Sequence, residues 1–149
     1  MSAATMKETN DAVSARDGHQ SWGPPTIVVA DDDEAIHLCL GTLLARARFQ
    51  VLEAHDAGEA LEVLQTRNDI DALLTDVDMP GAMDGLALAK IARTCWPHLA
   101  IVVMSGRPLP LGYQLPERTV FQPKPFDSDA LLSRLRVQMS IEQTLGAGL

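Results

Sequence analysis

Hydrophobic positions along this chain form short continuous apolar runs that alternate with stretches of helical spacing. The β-branched run Thr26–Ala30 and the run at 100–104 are typical of strands that are buried on both faces of a sheet. Between such runs, apolar residues recur every three or four positions, as they do on one face of a helix. Strands that alternate with helices predict an α/β fold: a doubly wound parallel sheet with helices on both faces.

The pattern predicts five strands and four helices. The strands are predicted at 26–30, 49–53, 72–75, 100–104 and 119–122. An aspartate can cap the first helix (Asp32 or Asp33) and the third helix (Asp84). The second, third and fourth helices are predicted at 57–66, 84–94 and 127–142.

Length and composition favour a single domain. The 149 residues, 46% of them hydrophobic, suffice for one core and are too few for two ordinary domains. We expect the ordered domain at 25–143, a flexible polar tail at 1–24 and a short C-terminal tail at 144–149. No run approaches the roughly 20 apolar residues of a membrane span, and the N-terminus carries no signal-peptide pattern. We therefore expect a cytoplasmic protein without a membrane partner.

The charge balance narrows the choice of partners. Twelve basic and twenty acidic side chains give a formal net charge of −8. Such a surface repels phosphate backbones, which argues against nucleic-acid binding by the domain itself. A cation or a basic protein surface is the more favourable partner.

Polar side chains stand at the ends of four predicted strands. Asp31, Asp32 and Asp33 follow the first strand, and Asp76, Ser105 and Lys124 follow the third, fourth and fifth. In a parallel doubly wound sheet these ends share one edge, where ligands bind. Singly, each group has a simpler interpretation, as a solvated capping loop, a turn residue or a rigid Pro-Lys-Pro turn. Their joint order along the chain favours a common site.

Converging carboxylates need a cation, since two of them about 4 Å apart repel by about 4 kcal/mol at an effective dielectric near 20. Oxygen ligands suit Mg²⁺, and no histidine follows these strands to suggest zinc. A carboxylate beside the metal can attack phosphorus, with Ser105 and Lys124 neutralising the phosphoryl oxygens. The four histidines of the chain (His19, His37, His55 and His98) are predicted to lie on the surface, with the alternative that His37, just after the acidic cluster, touches the mouth of the site.

Four motifs together resemble the receiver domain of two-component response regulators, over about 25–143. They are "IVVADDDEAI", "LLTDVDMPGAMDGLALA", "VVMSG" and "FQPKPF". The resemblance implies a flavodoxin-like sheet of order 2-1-3-4-5. It also implies a role for each site residue: Asp76 as phosphoacceptor and metal ligand, Asp31 and Asp32 as Mg²⁺ ligands, Asp78 as a ligand through its backbone carbonyl, Lys124 as the phosphate-binding lysine, and Ser105 and Phe121 as the switch pair.

The resemblance further implies a function. A sensor histidine kinase or histidine phosphotransfer protein would donate a phosphoryl group to Asp76 in the presence of Mg²⁺. Ser105 and Phe121 would then shift and remodel a surface for a downstream protein target or a homodimer. The domain would be a signalling phosphoprotein rather than an enzyme, catalysing at most its own phosphorylation and dephosphorylation.

The sequence departs from the family pattern in places. Only 18 residues separate Ser105 from Lys124, and they include Pro108, Pro110 and Pro116, so the family's fourth helix is predicted to be very short or missing. The loop "MPGAMDG" is one residue longer than usual. Asp78 and Arg107 stand where the family tunes the lifetime of the phosphoryl group; they either pair across the site mouth and slow its loss, or both face solvent.

Two other functions compete with this interpretation. The Asp76-Val-Asp78 sequence also fits the nucleophile and general acid of a haloacid dehalogenase-like phosphatase, although that family carries the motif on its first strand. A receiver that acts as an adaptor without phosphorylation is the other alternative. The short sequence after the last helix, "TLGAGL", leads us to expect a stand-alone receiver without an output domain.

Overall fold

The computed structural model describes residues 23–147, with side chains described for 23–140. Most of the predicted tail at 1–24 therefore lies outside the described residues, as does His19. The strands are β1 (Thr26–Ala30), β2 (Gln50–Ala54), β3 (Ala72–Asp76), β4 (Ala100–Ser105) and β5 (Thr119–Pro123). The helices are α1 (Glu34–Arg46), α2 (Ala57–Thr66), α3 (Gly85–Cys95) and α4 (Ser128–Ala147).

The five strands form one parallel sheet in the order β2-β1-β3-β4-β5. This confirms the predicted doubly wound, flavodoxin-like fold and its strand order. The register pairs Asp76 with Met104 and Ser105 with Pro123, so the ends of β3, β4 and β5 lie side by side. The polar groups that follow these strands therefore share one edge of the sheet.

The core has two layers, one on each face of the sheet. Alternate residues of β1 enter opposite layers: Ile27 and Val29 pack with α1 and α4, whereas Val28 and Ala30 pack with α2 and α3. Strands β1, β3 and β4 are buried along their whole length, and the edge strands β2 and β5 are only partly buried. This explains why the central strands read as continuous apolar runs.

Aspartates cap all four described helices, and at α4 the cap is Asp127, which accepts a hydrogen bond from the Ala130 N–H at 2.9 Å. Asp33, Asp56 and Asp84 each accept a hydrogen bond from a backbone N–H in the first turn of α1, α2 and α3. Asp33, rather than Asp32, therefore caps α1. That assignment leaves the Asp32 side chain available at the sheet edge.

The connection between β4 and β5 contains no helix, and the described residues of segment 106–118 are turns and irregular chain. This confirms the prediction, based on the prolines of this segment, that the fourth helix of the family is very short or missing. The buried Arg93 of α3 holds the C-terminal end of this segment. Its guanidinium donates hydrogen bonds to the carbonyl oxygens of Glu117 and Arg118 in the segment, and to that of Pro97, at 2.8–3.0 Å. Gln138 of α4 donates a further hydrogen bond to the Arg118 carbonyl oxygen at 2.8 Å.

Helix α4 runs to Ala147, about five residues beyond its predicted end at 142 and through most of the predicted C-terminal tail. The chain has neither proline nor glycine between Glu142 and Gly146, so nothing in the local sequence ends the helix earlier. None of the described helices is both long and apolar enough to cross a membrane.

Candidate functional site

Three carboxylates meet where β1 and β3 end. One oxygen from each of Asp31, Asp32 and Asp76 lies within 4.8 Å of the others. Asp31 and Asp76 are buried, with 1% and 6% of their surfaces exposed, whereas Asp32 faces solvent. The cluster thus has a protein side and an open side through which a ligand can enter.

Lys124, which follows β5, reaches into this cluster. Its Nζ lies 3.1 Å from Asp31 Oδ2 and 3.0 Å from Asp76 Oδ1. Burial by itself lowers the pKa of Lys124, but the hydrogen bond to Asp76 and the charges of Asp31 and Asp76 outweigh burial and raise it above the usual value. The side chain is therefore a fixed positive charge between two carboxylates.

The environment of Asp76 disfavours the ionised form of its carboxyl group. Burial raises the pKa of Asp76 above its usual value, Lys124 opposes that rise, and the negative charges of Asp31 and Asp78 add to it. One lysine therefore does not fully offset the burial and crowding of these acids. A second cation beside the cluster would stabilise the ionised form of Asp76.

The backbone at Asp31 is hydrogen-bonded on both sides. Its N–H donates to the Ala54 carbonyl oxygen of β2 at 3.1 Å, and its own carbonyl oxygen lies 2.6 Å from Nε2 of His37. The Asp31 carboxylate also accepts a hydrogen bond from the Asp33 N–H at 2.9 Å. These contacts give the first acid of the cluster a defined orientation.

The prediction that His37 lies on the surface is wrong. Only 2% of its surface is exposed, because the first turns of α1 press the ring against the ends of β1 and β2. The sequence signal was available, since His37 lies three residues before Leu40 and seven before Leu44, on the buried face of α1. His55 and His98 are half-buried and exposed, respectively.

A glycine allows α3 to start directly against the cluster. A Cβ atom on Gly85 would lie 1.8 Å from the Asp76 carbonyl oxygen and 2.9 Å from Cα of Val77. The Gly85 N–H also donates to the Val77 carbonyl oxygen at 2.9 Å. The glycine of the "MDG" motif thus permits a close backbone approach that fixes the end of β3.

On the side of β4, three polar residues form a small exposed network. The Arg107 N–H donates to Ser105 Oγ at 3.1 Å, and the Arg107 guanidinium binds the Asp78 carboxylate at 2.5 Å. Ser105 is buried, but three quarters of the Arg107 side chain and half of the Asp78 side chain are exposed. Of the two predicted arrangements for Asp78 and Arg107, the structure has the paired one.

Phe121 of β5 is half-buried and packs against the core layer formed with α2 and α3. It pairs with Val103 of β4, two residues before Ser105. The two predicted switch residues therefore lie on neighbouring strands near the same edge. Their roles as a switch, and that of the Asp78 carbonyl as a metal ligand, stay predictions.

The donor set suits Mg²⁺. Carboxylate oxygens are the ligands that this ion prefers, and Asp31, Asp32 and Asp76 supply three of them with room for water on the exposed side. A cation there would stabilise the ionised form of Asp76, whose pKa is raised by burial and, to a lesser extent, by the charges of Asp31 and Asp78. The residues present thus fit the predicted metal.

Comparisons with known proteins agree with this geometry. Residues 27–136 match the family model of the response regulator receiver domain. Response regulator MprA of Mycobacterium ulcerans is 35% identical over 118 residues, which cover 74% of this chain and 48% of MprA. DNA-binding transcriptional regulator NtrC of Escherichia coli K12 is 36% identical over 104 residues, 68% of this chain and 22% of NtrC. The chain thus spans less than half the length of these curated relatives.

Among solved structures, a response regulator receiver protein from Sinorhizobium medicae aligns with a TM-score of 0.74 and 28% identity. The alignment covers 82% of this chain and 99% of that protein. Most of the chain therefore has a counterpart of known structure.

Proposed function

The chain belongs to the response regulator receiver domain family, and from this premise we propose that it accepts a phosphoryl group on Asp76 with Mg²⁺ bound beside it. The observation that carries the proposal is the position of Lys124, whose ammonium bridges Asp31 and Asp76 at 3.0–3.1 Å within the carboxylate cluster. An ordinary acidic surface loop has no need of a half-buried lysine between its acids.

The proposed reaction is a phosphoryl transfer from a phosphohistidine of a sensor histidine kinase or phosphotransfer protein. A carboxylate oxygen of Asp76 attacks phosphorus, the O–P bond forms as the P–N bond breaks, and the bonding electrons return to the imidazole nitrogen. The Lys124 ammonium and the Ser105 hydroxyl bind phosphoryl oxygens. Asp31, Asp32 and Asp76 would hold Mg²⁺, which supplies charge neutralisation at the transferring group when bound.

Loss of the phosphoryl group requires water to attack phosphorus along the opposite line. The Asp78–Arg107 ion pair spans the exposed side of the site between β3 and β4. We expect the pair to hinder that water, so the phosphorylated state is longer-lived than it would be with small side chains at both positions.

Phosphorylation is proposed to act on Ser105. Its Oγ accepts the Arg107 N–H, and a shift of Ser105 toward the phosphoryl group would break that contact and release the near end of segment 106–118. Phe121, on the neighbouring strand, would move with it. The altered surface would then bind a downstream protein or a second copy of the chain.

Several finer predictions remain proposals. The activities of the whole MprA and NtrC proteins are not assigned to this chain, because it matches only 48% and 22% of their lengths. The absence of nucleic-acid binding by this domain rests on its charge, and a cytoplasmic location rests on the sequence alone. The phosphatase alternative loses support because the Asp78 side chain pairs with Arg107 rather than standing ready as a general acid.

The test is intact-mass measurement after incubation with acetyl phosphate and Mg²⁺. We expect the mass of one added phosphoryl group on the unmutated protein and none on Asp76→Asn. Omission of Mg²⁺ should greatly reduce the adduct. An unmodified native protein, or an equal adduct on the variant, would contradict the proposal and favour a phosphorylation-independent adaptor.

A further inference from the structure

We propose that His37 is a positioning residue that holds the backbone at Asp31 so that the Asp31 carboxylate points at the metal site. The inference rests on the proposed function, since it assumes that Mg²⁺ binds there. Neither the motifs of the sequence nor the carboxylate cluster itself includes this histidine.

The His37 ring joins the ends of two strands through one nitrogen. Nε2 lies 2.6 Å from the carbonyl oxygen of Asp31 and 3.2 Å from that of Ala54, the last residue of β2. The Ala54 oxygen also accepts the Asp31 N–H at 3.1 Å. The imidazole thus continues the pairing of β1 with β2 for one residue beyond the sheet, at the residue that carries the carboxylate.

These partners determine where the ring carries its proton. Both atoms next to Nε2 are carbonyl oxygens, which only accept hydrogen bonds, so Nε2 must be the donor. Nδ1 is buried and has no hydrogen-bond partner among the described residues, which suits an unprotonated nitrogen. The geometry therefore requires that Nε2 carries a proton.

The side-chain contacts of Asp31 cannot replace the hydrogen bond from His37 to the Asp31 carbonyl oxygen. Lys124 and the Asp33 N–H bind the carboxylate oxygens and restrict rotation of the side chain. They do not contact the peptide plane between residues 31 and 32, whose carbonyl oxygen is bound by His37, and a rotation of that plane changes the backbone torsions at Asp31. Because Asp31 is 1% exposed, a carbonyl oxygen deprived of the His37 donor would turn toward water and move the carboxylate with it.

Mutation of a residue that hydrogen-bonds to a metal ligand typically weakens metal binding 10- to 100-fold. We expect His37→Asn to raise the Mg²⁺ dissociation constant by about tenfold, because its amide nitrogen ends near the position of Nδ1 and falls short of the Asp31 oxygen. His37→Gln places an amide N–H near the position of Nε2. It should retain an affinity close to that of the unmutated protein.

The test is a Mg²⁺ titration of the full chain, followed by calorimetry or by amide NMR shifts, for the unmutated protein and both variants. Leu40→Ala is the matched control, since Leu40 is a fully buried residue of the same helix. It should lower the unfolding temperature without changing the Mg²⁺ dissociation constant.

Equal Mg²⁺ affinity in His37→Asn and the unmutated protein would overturn the inference, as would an equal weakening in His37→Gln. Both results leave the proposed function intact, whereas an unmutated protein that binds no Mg²⁺ contradicts that function too. If His37→Asn does not fold, ring ¹⁵N NMR of the unmutated protein decides the matter. A proton on Nδ1 instead of Nε2 would refute the donor role.

Discussion

The two sides of the site are built differently. On the metal side, around Asp31, His37 and Asp76, buried groups are held by hydrogen bonds and backbone contacts from three neighbouring strands and a helix. On the switch side, the first residues of segment 106–118 are held by an exposed ion pair and one hydrogen bond to Ser105, and the middle of the segment packs against the core through Leu109, Tyr113 and Leu115. Buried contacts resist opening, while exposed ones open at little cost in free energy.

This difference would suit the proposed function, in which the domain binds Mg²⁺ in a fixed geometry and then changes shape. The segment 106–118 contains no helix that could move as a rigid body. Its C-terminal end is held by the hydrogen bonds from Arg93 to the carbonyl oxygens of Glu117 and Arg118. A small shift of Ser105 can therefore rearrange the near end alone. The following predictions test that contrast, from the largest expected effect to the smallest.

Among the predictions that follow, removal of the Lys124 charge should have the largest effect. In Lys124→Met we expect the phosphorylation rate to fall about a hundredfold or more, because one half-buried charge that stabilises the transition state is lost. The rate is measured from the growth of the phosphorylated mass with acetyl phosphate. Lys124→Arg retains the charge but not the compact ammonium and should fall in between. A methionine variant that reacts at the native rate would remove Lys124 from the mechanism.

A methyl group at Gly85 should strongly destabilise the metal side. In Gly85→Ala the new Cβ would overlap the Asp76 carbonyl, and we expect the free energy of unfolding to drop by about 3 kcal/mol. Gly41→Ala is the control: its Cβ meets nothing within 4 Å in the middle of α1, and it should stabilise by about 0.5–1 kcal/mol. Urea denaturation measures both. Similar effects of the two substitutions would show that the close approach at Gly85 does not matter.

The ion pair on the switch side should affect lifetime far more than stability. In Arg107→Ala we expect the phosphoryl group to be lost severalfold faster, while the free energy of unfolding changes little, because the ion pair is exposed to solvent. Decay of the phosphorylated mass after removal of the phosphodonor gives the rate, with Lys90→Ala as an exposed-cation control on α3. An unchanged lifetime would mean that the pair does not hinder water.

The smallest effect concerns His55, which lies beside the metal side but outside the carboxylate cluster. The hydrogen bond to Glu59 raises the pKa of His55, burial opposes that rise, and the negative charges of Glu34, Glu59 and Glu53 add to it, so that the pKa lies above its usual value. The folded-state pKa lies above 6.5, so the stabilisation is complete below pH 6.5 and is lost as the pH rises through the folded-state pKa.

The difference in unfolding temperature between the unmutated protein and His55→Gln should therefore shrink as the pH increases. Thermal unfolding at a series of pH values checks it, and Glu59→Gln should weaken the same dependence. A difference that grows with pH would contradict the assignment.

Much of this architecture was predictable because the determinants are local or follow from strand order. The apolar runs gave the strands to within one or two residues, and the prolines of segment 106–118 predicted the missing helix. Asp31, Asp76, Ser105 and Lys124 could be assigned to one edge because parallel strands end together. Which of them touch could not be predicted, since side-chain distances depend on packing.

The failures have physical causes too. His37 was predicted to lie on the surface from its residue type, although its spacing from Leu40 and Leu44 places it on the buried face of α1; only its contact with the end of β2, 17 positions away, depends on tertiary structure. The role of Arg93 in holding segment 106–118 was not predicted, because it donates hydrogen bonds to backbone carbonyl oxygens, which have no sequence pattern. The end of α4 was placed too early because its apolar spacing weakens before the helix stops.

Hydrogen–deuterium exchange of the protein with and without acetyl phosphate, in the presence of Mg²⁺, tests the central claim most directly. We predict faster exchange in peptides that cover 106–118 after phosphorylation, unchanged exchange in peptides that cover β1 and α1, and no change in either region of Asp76→Asn. Equal changes on both sides, or the same response in the variant, would contradict the account.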